Sequence, residues 1–117
     1  MPLIDLKNLQ QAALAFGEAR GWGKYHSPKN LAMALSVEVA ELLEHFQWLS
    51  EEGSRRLPAA ELAGVREELA DVLLYLVRLA DELAVDLAAA ARDKIELNAR
   101  KYPVAKARGS RRKSADL

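Results

Sequence analysis

Two pairs of carboxylates set the chemistry to be considered: Glu38 and Glu41 in the run Glu-Val-Ala-Glu, and Glu68 and Asp71 in the run Glu-Leu-Ala-Asp. A spacing of three puts both members of a pair on one face of a helix, one turn apart. One such pair alone is usually a solvated surface feature. The helical wheel argues against that reading here. At about 100° per residue, Glu38 falls roughly 50° from the centre of the apolar stripe near Leu42, while Glu44 points nearly opposite. The same construction sets Glu68 about 75° from its own stripe, with Asp71 and Tyr75 on that flank and Glu67, Arg78 and Asp81 on the far side. Both pairs are expected at the edge of a helical core. Four carboxylates gathered there, with no Lys or Arg interleaved, repel one another and lose hydration, so they need a proton, a cation or water. An all-oxygen set without His or Cys suits Mg²⁺ or Mn²⁺ rather than zinc or copper, and Mg²⁺ in such sites is commonly completed by substrate phosphates. The pattern points toward phosphate chemistry.

Two rival sites fail on their residues. Di-iron bundles need paired Glu-x-x-His motifs, whereas the only histidines are His26 and His45, and His45 follows Glu41 by four positions. A P-loop needs a Gly-rich run ending in Lys-Ser or Lys-Thr, and the chain has none.

The elements that must position these residues read as helices throughout. Long segments rich in Ala, Leu, Glu and Arg are separated by most of the 4 Pro and 6 Gly, and β-branched residues never alternate over a strand's length. The first helix is expected from an Asp5 cap to about Arg20, where Gly21-Trp22-Gly23 interrupts it. After a loop with Trp22, Tyr25 and His26, Ser27-Pro28 opens a second helix. Leu31, Leu35, Leu42, Phe46 and Leu49 carry that helix to about Trp48, and the polar stretch from Ser50 to Arg56 follows as a loop. A third begins near Pro58 with Val65, Leu69, Val72, Leu76, Leu79 and Leu83 as its stripe, and Asp86 caps a fourth that reaches about Arg100 before Tyr102-Pro103. Leu74 and Val77 lie off the third helix's stripe, so it is apolar nearly all round, which calls for subunit association in so short a chain. The expected organisation is one domain over 1–105 and a basic, disordered tail over 106–117, in which Arg111-Arg112-Lys113 is not taken as a nucleic-acid site.

Composition adds exclusions. With 117 residues and 50% hydrophobic content there is enough chain for one core. Seventeen basic residues balance seventeen acidic ones, so no net field draws the chain to nucleic acid or a membrane surface. No cysteine is present, which removes disulfides and thiolate chemistry and fits a reducing compartment. Neither a leader pattern at Met1 to Asp5 nor an apolar run of roughly 20 residues occurs, so a cytoplasmic protein is expected.

Asn30-Leu31, the run Glu38 to Leu42, Phe46-Gln47-Trp48, the run Glu67 to Leu73 and the run Asn98 to Pro103 together resemble the MazG-like nucleotide pyrophosphohydrolases, and within them the dCTP pyrophosphatase branch. The resemblance covers about Leu6 to Arg108. It implies an all-α, four-helix MazG-like bundle completed by oligomerisation, with a homotetramer favoured and a dimer as the alternative. It implies Mg²⁺-dependent hydrolysis of a deoxynucleoside triphosphate, dCTP or a modified dCTP first, to the monophosphate and pyrophosphate, which would control or cleanse the nucleotide pool. By the same resemblance Glu38, Glu41, Glu68 and Asp71 hold the magnesium, with Mn²⁺ as a substitute. Glu38, the most inward on the wheel, is the candidate general base. Trp22 and Trp48 are implied as walls of the base pocket, with His26, Asn30 and Tyr75 beside the substrate. Lys94, Asn98, Lys101 and Tyr102, on one side of the fourth helix and its end, are implied as phosphate or sugar contacts. One departure concerns the segment Leu6 to Phe16, which brings small apolar Ala12 and Ala13 where polar pocket contacts would stand. The alternatives are the same reaction on dUTP or a damaged nucleotide, and a catalytically silent helical oligomerisation module, which would have no need to group like charges.

Overall fold

The structure is a computed structural model and describes residues 5–113. Among them every regular element is helical: α1 (Leu6–Ala19), a single 3₁₀ turn (Gly23–Tyr25), α2 (Pro28–Glu44), α3 (Glu51–Ser54), α4 (Ala59–Glu82), α5 (Leu87–Lys101) and α6 (Val104–Ala107). No helix among the described residues is long and apolar enough to cross a membrane. The expectations that fall on Met1 to Ile4, and on the last four residues of the basic tail, lie outside the described residues.

The helix starts follow from their caps. Asp5, Ser27 and Asp86 each accept a bond from the backbone N–H three residues on, at 2.7, 3.1 and 3.0 Å, and Pro28 occupies the first turn of α2, where its missing N–H costs nothing. Two ends differ from expectation. The second helix stops at Glu44 rather than near Trp48, because 45–49 close into tight turns such as His45 N–H to the Leu42 carbonyl and Leu49 N–H to the Phe46 carbonyl. The polar stretch after it is not wholly loop, since Ser50 caps the single turn of α3 through Gly53 N–H at 3.0 Å. Lys106 and Ala107, placed in an irregular tail by composition, belong to the short α6 that begins after Pro103.

The chain divides into two compact units, one ending at Val85 and the other beginning at Asp86. In the first, α4 is the central element and both α2 and α1 pack on it. Its core is small: Leu31, Val65, Val77 and Ala80. Val77, expected off the main stripe, is fully buried, while Leu69 and Leu83 of the stripe stay exposed. The reason is that α1 covers a face of α4 the periodicity could not single out, and Gln10 Nε2 donates across to the Val77 carbonyl at 3.4 Å. Met33, Val37 and Leu43 of α2 and Leu62, Leu69 and Leu73 of α4 remain exposed. The second unit holds α5 and α6, with α5 closed by Tyr102 N–H on the Asn98 carbonyl at 2.8 Å.

Candidate metal and nucleotide site

Packing of α2 on α4 brings the two acidic pairs together. Glu38, Glu41 and Glu68 are each half-buried, and each offers a carboxylate oxygen within 4.8 Å of the other two. Glu38 Oε2 and Glu68 Oε2 are shut off from solvent and have no hydrogen-bond partner among the described residues. None of the ion pairs among the described residues involves these three or Asp71. The Glu38 carboxyl is pushed up to about 7, mainly by burial, then by the close approach of the Glu41 and Glu68 carboxyls and the negative charge of Glu41 and Asp71. A proton on Glu38 is one way for three crowded carboxylates to coexist; a hard divalent cation is the other. The donor chemistry fits such an ion, because every available ligand is oxygen and two buried oxygens have nothing else to bind.

Asp71, the expected fourth ligand, is half-buried but lies outside this group of three. It reaches Glu38 by its charge and lines an adjoining cavity of about 430 Å³. The cavity's walls come from α1 and the turn after it. Gly21, at φ 67, lets the chain reverse after α1, and Trp22 N–H bonds the Gly17 carbonyl at 3.0 Å, which returns the indole over α1. Trp22 then meets Phe16 edge to face at 5.7 Å and His26 at 6.3 Å. Tyr75 lines the same space from α4. Trp22, His26, Tyr75 and Asp71 thus line one cavity.

Other expected residues sit elsewhere. Asn30 is exposed, and its amide donates to the Tyr25 carbonyl at 3.0 Å, tying the 3₁₀ turn to the start of α2. Trp48 is 89% exposed and does not join Trp22. It borders a second cavity of about 520 Å³ beside His45, whose Nδ1 lies 3.2 Å from Glu61 Oε2. Lys94, Asn98 and Lys101 are exposed on α5, and Tyr102 is half-buried at its end, all in the second unit.

Arg78 corrects the sequence reading. Placed on the far, solvated side of its helix by the wheel, it is instead 5% exposed and lines the aromatic cavity. Its guanidinium is carried inside by Asp81 and Glu82, each at 3.1 Å. The clue was the spacing of seven from Asp71, nearly two full turns and so the same face of the helix.

With this geometry in place, the known proteins it resembles are informative. A model of the MazG-like family matches residues 33–117. dCTP pyrophosphatase 1 of Mus musculus is 44% identical over 99% of this chain and 69% of its own length. The Homo sapiens protein of that name is 42% identical over the same shares. Among solved structures, a pyrophosphatase from Archaeoglobus fulgidus DSM 4304 superposes with a TM-score of 0.78 at 44% identity, covering 84% of this chain and 92% of that one.

Proposed function

The chain belongs to the MazG-like family, and we propose that it is a divalent-metal-dependent nucleoside triphosphate pyrophosphohydrolase that takes a deoxynucleoside triphosphate, dCTP or a modified dCTP first, to the monophosphate and pyrophosphate. The observation that carries this reading is the convergence of Glu38, Glu41 and Glu68 within 4.8 Å, with two buried oxygens lacking partners, beside an aromatic cavity reached through Asp71. Relatives named for dCTP pyrophosphatase activity support the choice of base.

In this reading Glu38, Glu41 and Glu68, with Asp71 nearby, would hold the ion, and a bound Mg²⁺ or Mn²⁺ would polarise phosphate oxygens and acidify water. Phe16 and Trp22 give the base a flat wall. Water oxygen bonds to the α-phosphorus, the bridging P–O bond to the β-phosphate breaks, and pyrophosphate leaves with that electron pair. Glu38, whose Oε2 is shut off from solvent inside the cluster, is assigned the proton of the attacking water. To Lys94, Asn98, Lys101 and Tyr102 we assign the phosphates and sugar, where cations would offset charge left on the triphosphate. The exposed apolar residues of α2 and α4 support assembly as a homo-oligomer, a tetramer first, which light scattering would measure.

The test is a screen of the common NTPs and dNTPs for pyrophosphate release with Mg²⁺. dCTP or a modified dCTP is expected at the head of the ranking. Release of orthophosphate in place of pyrophosphate, or no turnover of any nucleotide, would overturn the reading.

A further inference from the structure

The aromatic cavity contains a charged side chain for which the hydrolysis described above has no use. Arg78 lines the cavity and is 5% exposed. Its Nη1 donates to Asp81 Oδ2 and its Nη2 to Glu82 Oε1, both at 3.1 Å. Its Nε is buried and has no acceptor among the described residues. A guanidinium keeps its protons at any working pH, so this N–H remains a donor. A buried donor left unpaired on a charged group is costly, and such groups in native proteins call for a partner.

The surroundings say what partner fits. From α1 the cavity receives Leu9, Ala12, Ala13 and Phe16, none of which carries a polar side-chain atom. Polar side-chain recognition therefore falls to α4, to His26 and to the Trp22 indole N–H. Asp71, Tyr75 and Arg78 share one face of α4, since intervals of four and seven residues are close to one and two turns. Among the described lining residues Arg78 is the only lysine or arginine, and the pair Asp81 and Glu82 fixes the direction of its guanidinium. A flat ring resting on Trp22 and Phe16 that carries an acceptor on its edge would complete the set.

We propose that Arg78 is a specificity-determining residue of this cavity: its Nε–H, held by Asp81 and Glu82, donates to the ring carbonyl of the substrate's base, which for cytosine is O2. The inference rests on the cavity being the base site of the proposed hydrolase. A donor that cannot become an acceptor accepts cytosine, uracil, thymine and guanine, all of which carry a ring carbonyl, and rejects adenine, which has none. Rejection follows because the buried N–H would stay unpaired or would meet another hydrogen. Arg78 does not distinguish cytosine from uracil, whose O2 is the same, so the 4-position is read by other groups.

The test separates base recognition from hydrolysis by using the monophosphate without metal. Calorimetry with the parent protein compares 2′-deoxycytidine 5′-monophosphate with its C-nucleoside analogue, in which C–H replaces the O2 carbonyl. The analogue is expected to bind about 10- to 100-fold more weakly, the range for a hydrogen bond to a charged group. Arg78→Met, which keeps length without a donor, is expected to bind both ligands equally and weakly, and in turnover to raise KM for dCTP with kcat little changed. Asp81→Asn combined with Glu82→Gln keeps neutral acceptors but removes the charges that hold the guanidinium, and is expected to narrow the discrimination without abolishing it. Equal binding of the two ligands by the parent overturns the proposal even if no variant folds, as does a folded Arg78→Met that still discriminates or a parent that binds neither ligand. If the parent discriminates but no nucleotide is hydrolysed, Arg78 stands and the hydrolase reading falls. If hydrolysis is found without discrimination, the reverse holds.

Discussion

Replacing Glu38 by Gln keeps size and helix propensity nearly constant and removes the charge that the acidic cluster tolerates least. In the folded protein this carboxyl titrates at about 7 instead of the ordinary 4.5, with burial as the main cause. The folded chain thus holds a proton that the unfolded chain releases. For a group with a raised folded value, the associated stability is complete below pH 4.5 and is lost as pH rises through about 7. Full expression of the shift corresponds to about 3 kcal/mol. Glu38 is only half-buried, so water shields part of this, and about 2 kcal/mol is the expected loss. The Gln variant has no such proton to lose. Without metal it is expected to match the parent near the acid end of the range and to exceed it by about 2 kcal/mol at about pH 8. That is roughly 8 °C in melting temperature for a domain of this size. Saturating Mg²⁺ at about pH 8 is expected to reverse the order, because an ion that binds only the folded parent stabilises it by mass action, while the variant has lost a ligand. Melting curves by circular dichroism across pH, each with EDTA and with Mg²⁺, provide the measurement. A gap between the two proteins that stays constant across pH without metal would refute the crowded-carboxylate argument, and an unchanged order with Mg²⁺ would refute the metal site.

Pyrophosphate release is expected to cease in excess EDTA and to return with Mg²⁺ or Mn²⁺; full turnover in the chelator would exclude the ion from the reaction. Trp22→Ala is expected to weaken nucleotide binding by about 1 to 3 kcal/mol, read by calorimetry, and an unaltered affinity would remove the indole from the base wall. Trp48→Ala, at a side chain 89% exposed, is expected to shift chain stability by no more than about 0.5 kcal/mol; an unfolded variant would make Trp48 a folding residue. Ala84→Gly is expected to stabilise the protein by about 0.5 to 1 kcal/mol, because Ala84 sits at φ 53 in the turn that ends α4, where Val85 N–H reaches the Ala80 carbonyl and glycine suits the backbone. A lower melting point for that variant would contradict the strain argument.

How far the sequence could be read depends on the distance over which each feature is decided. Asp5, Ser27-Pro28 and Asp86 cap their helices through atoms three residues away, so their roles were legible in the local run. Glu38, Glu41 and Glu68 were legible because helical period alone fixes which side chains share a face, and the packing of α2 on α4 did the rest. Period does not say which face a second helix will cover. Val77 and Leu69 belong to one apolar helix, yet α1 settles on the side of Val77 and leaves Leu69 exposed. Arg78 shows the same limit in a polar residue. Nothing in its immediate run distinguishes a solvated arginine from a buried one, since Asp81 and Glu82 could pair with it equally well in water. Its burial comes from α1 and the turn that carries Trp22, which close the cavity from 56 to 69 residues earlier in the chain. The spacing of seven from Asp71 fixes which face of α4 Arg78 occupies, but that α1 would cover this face is decided by a long-range contact that the local run does not carry.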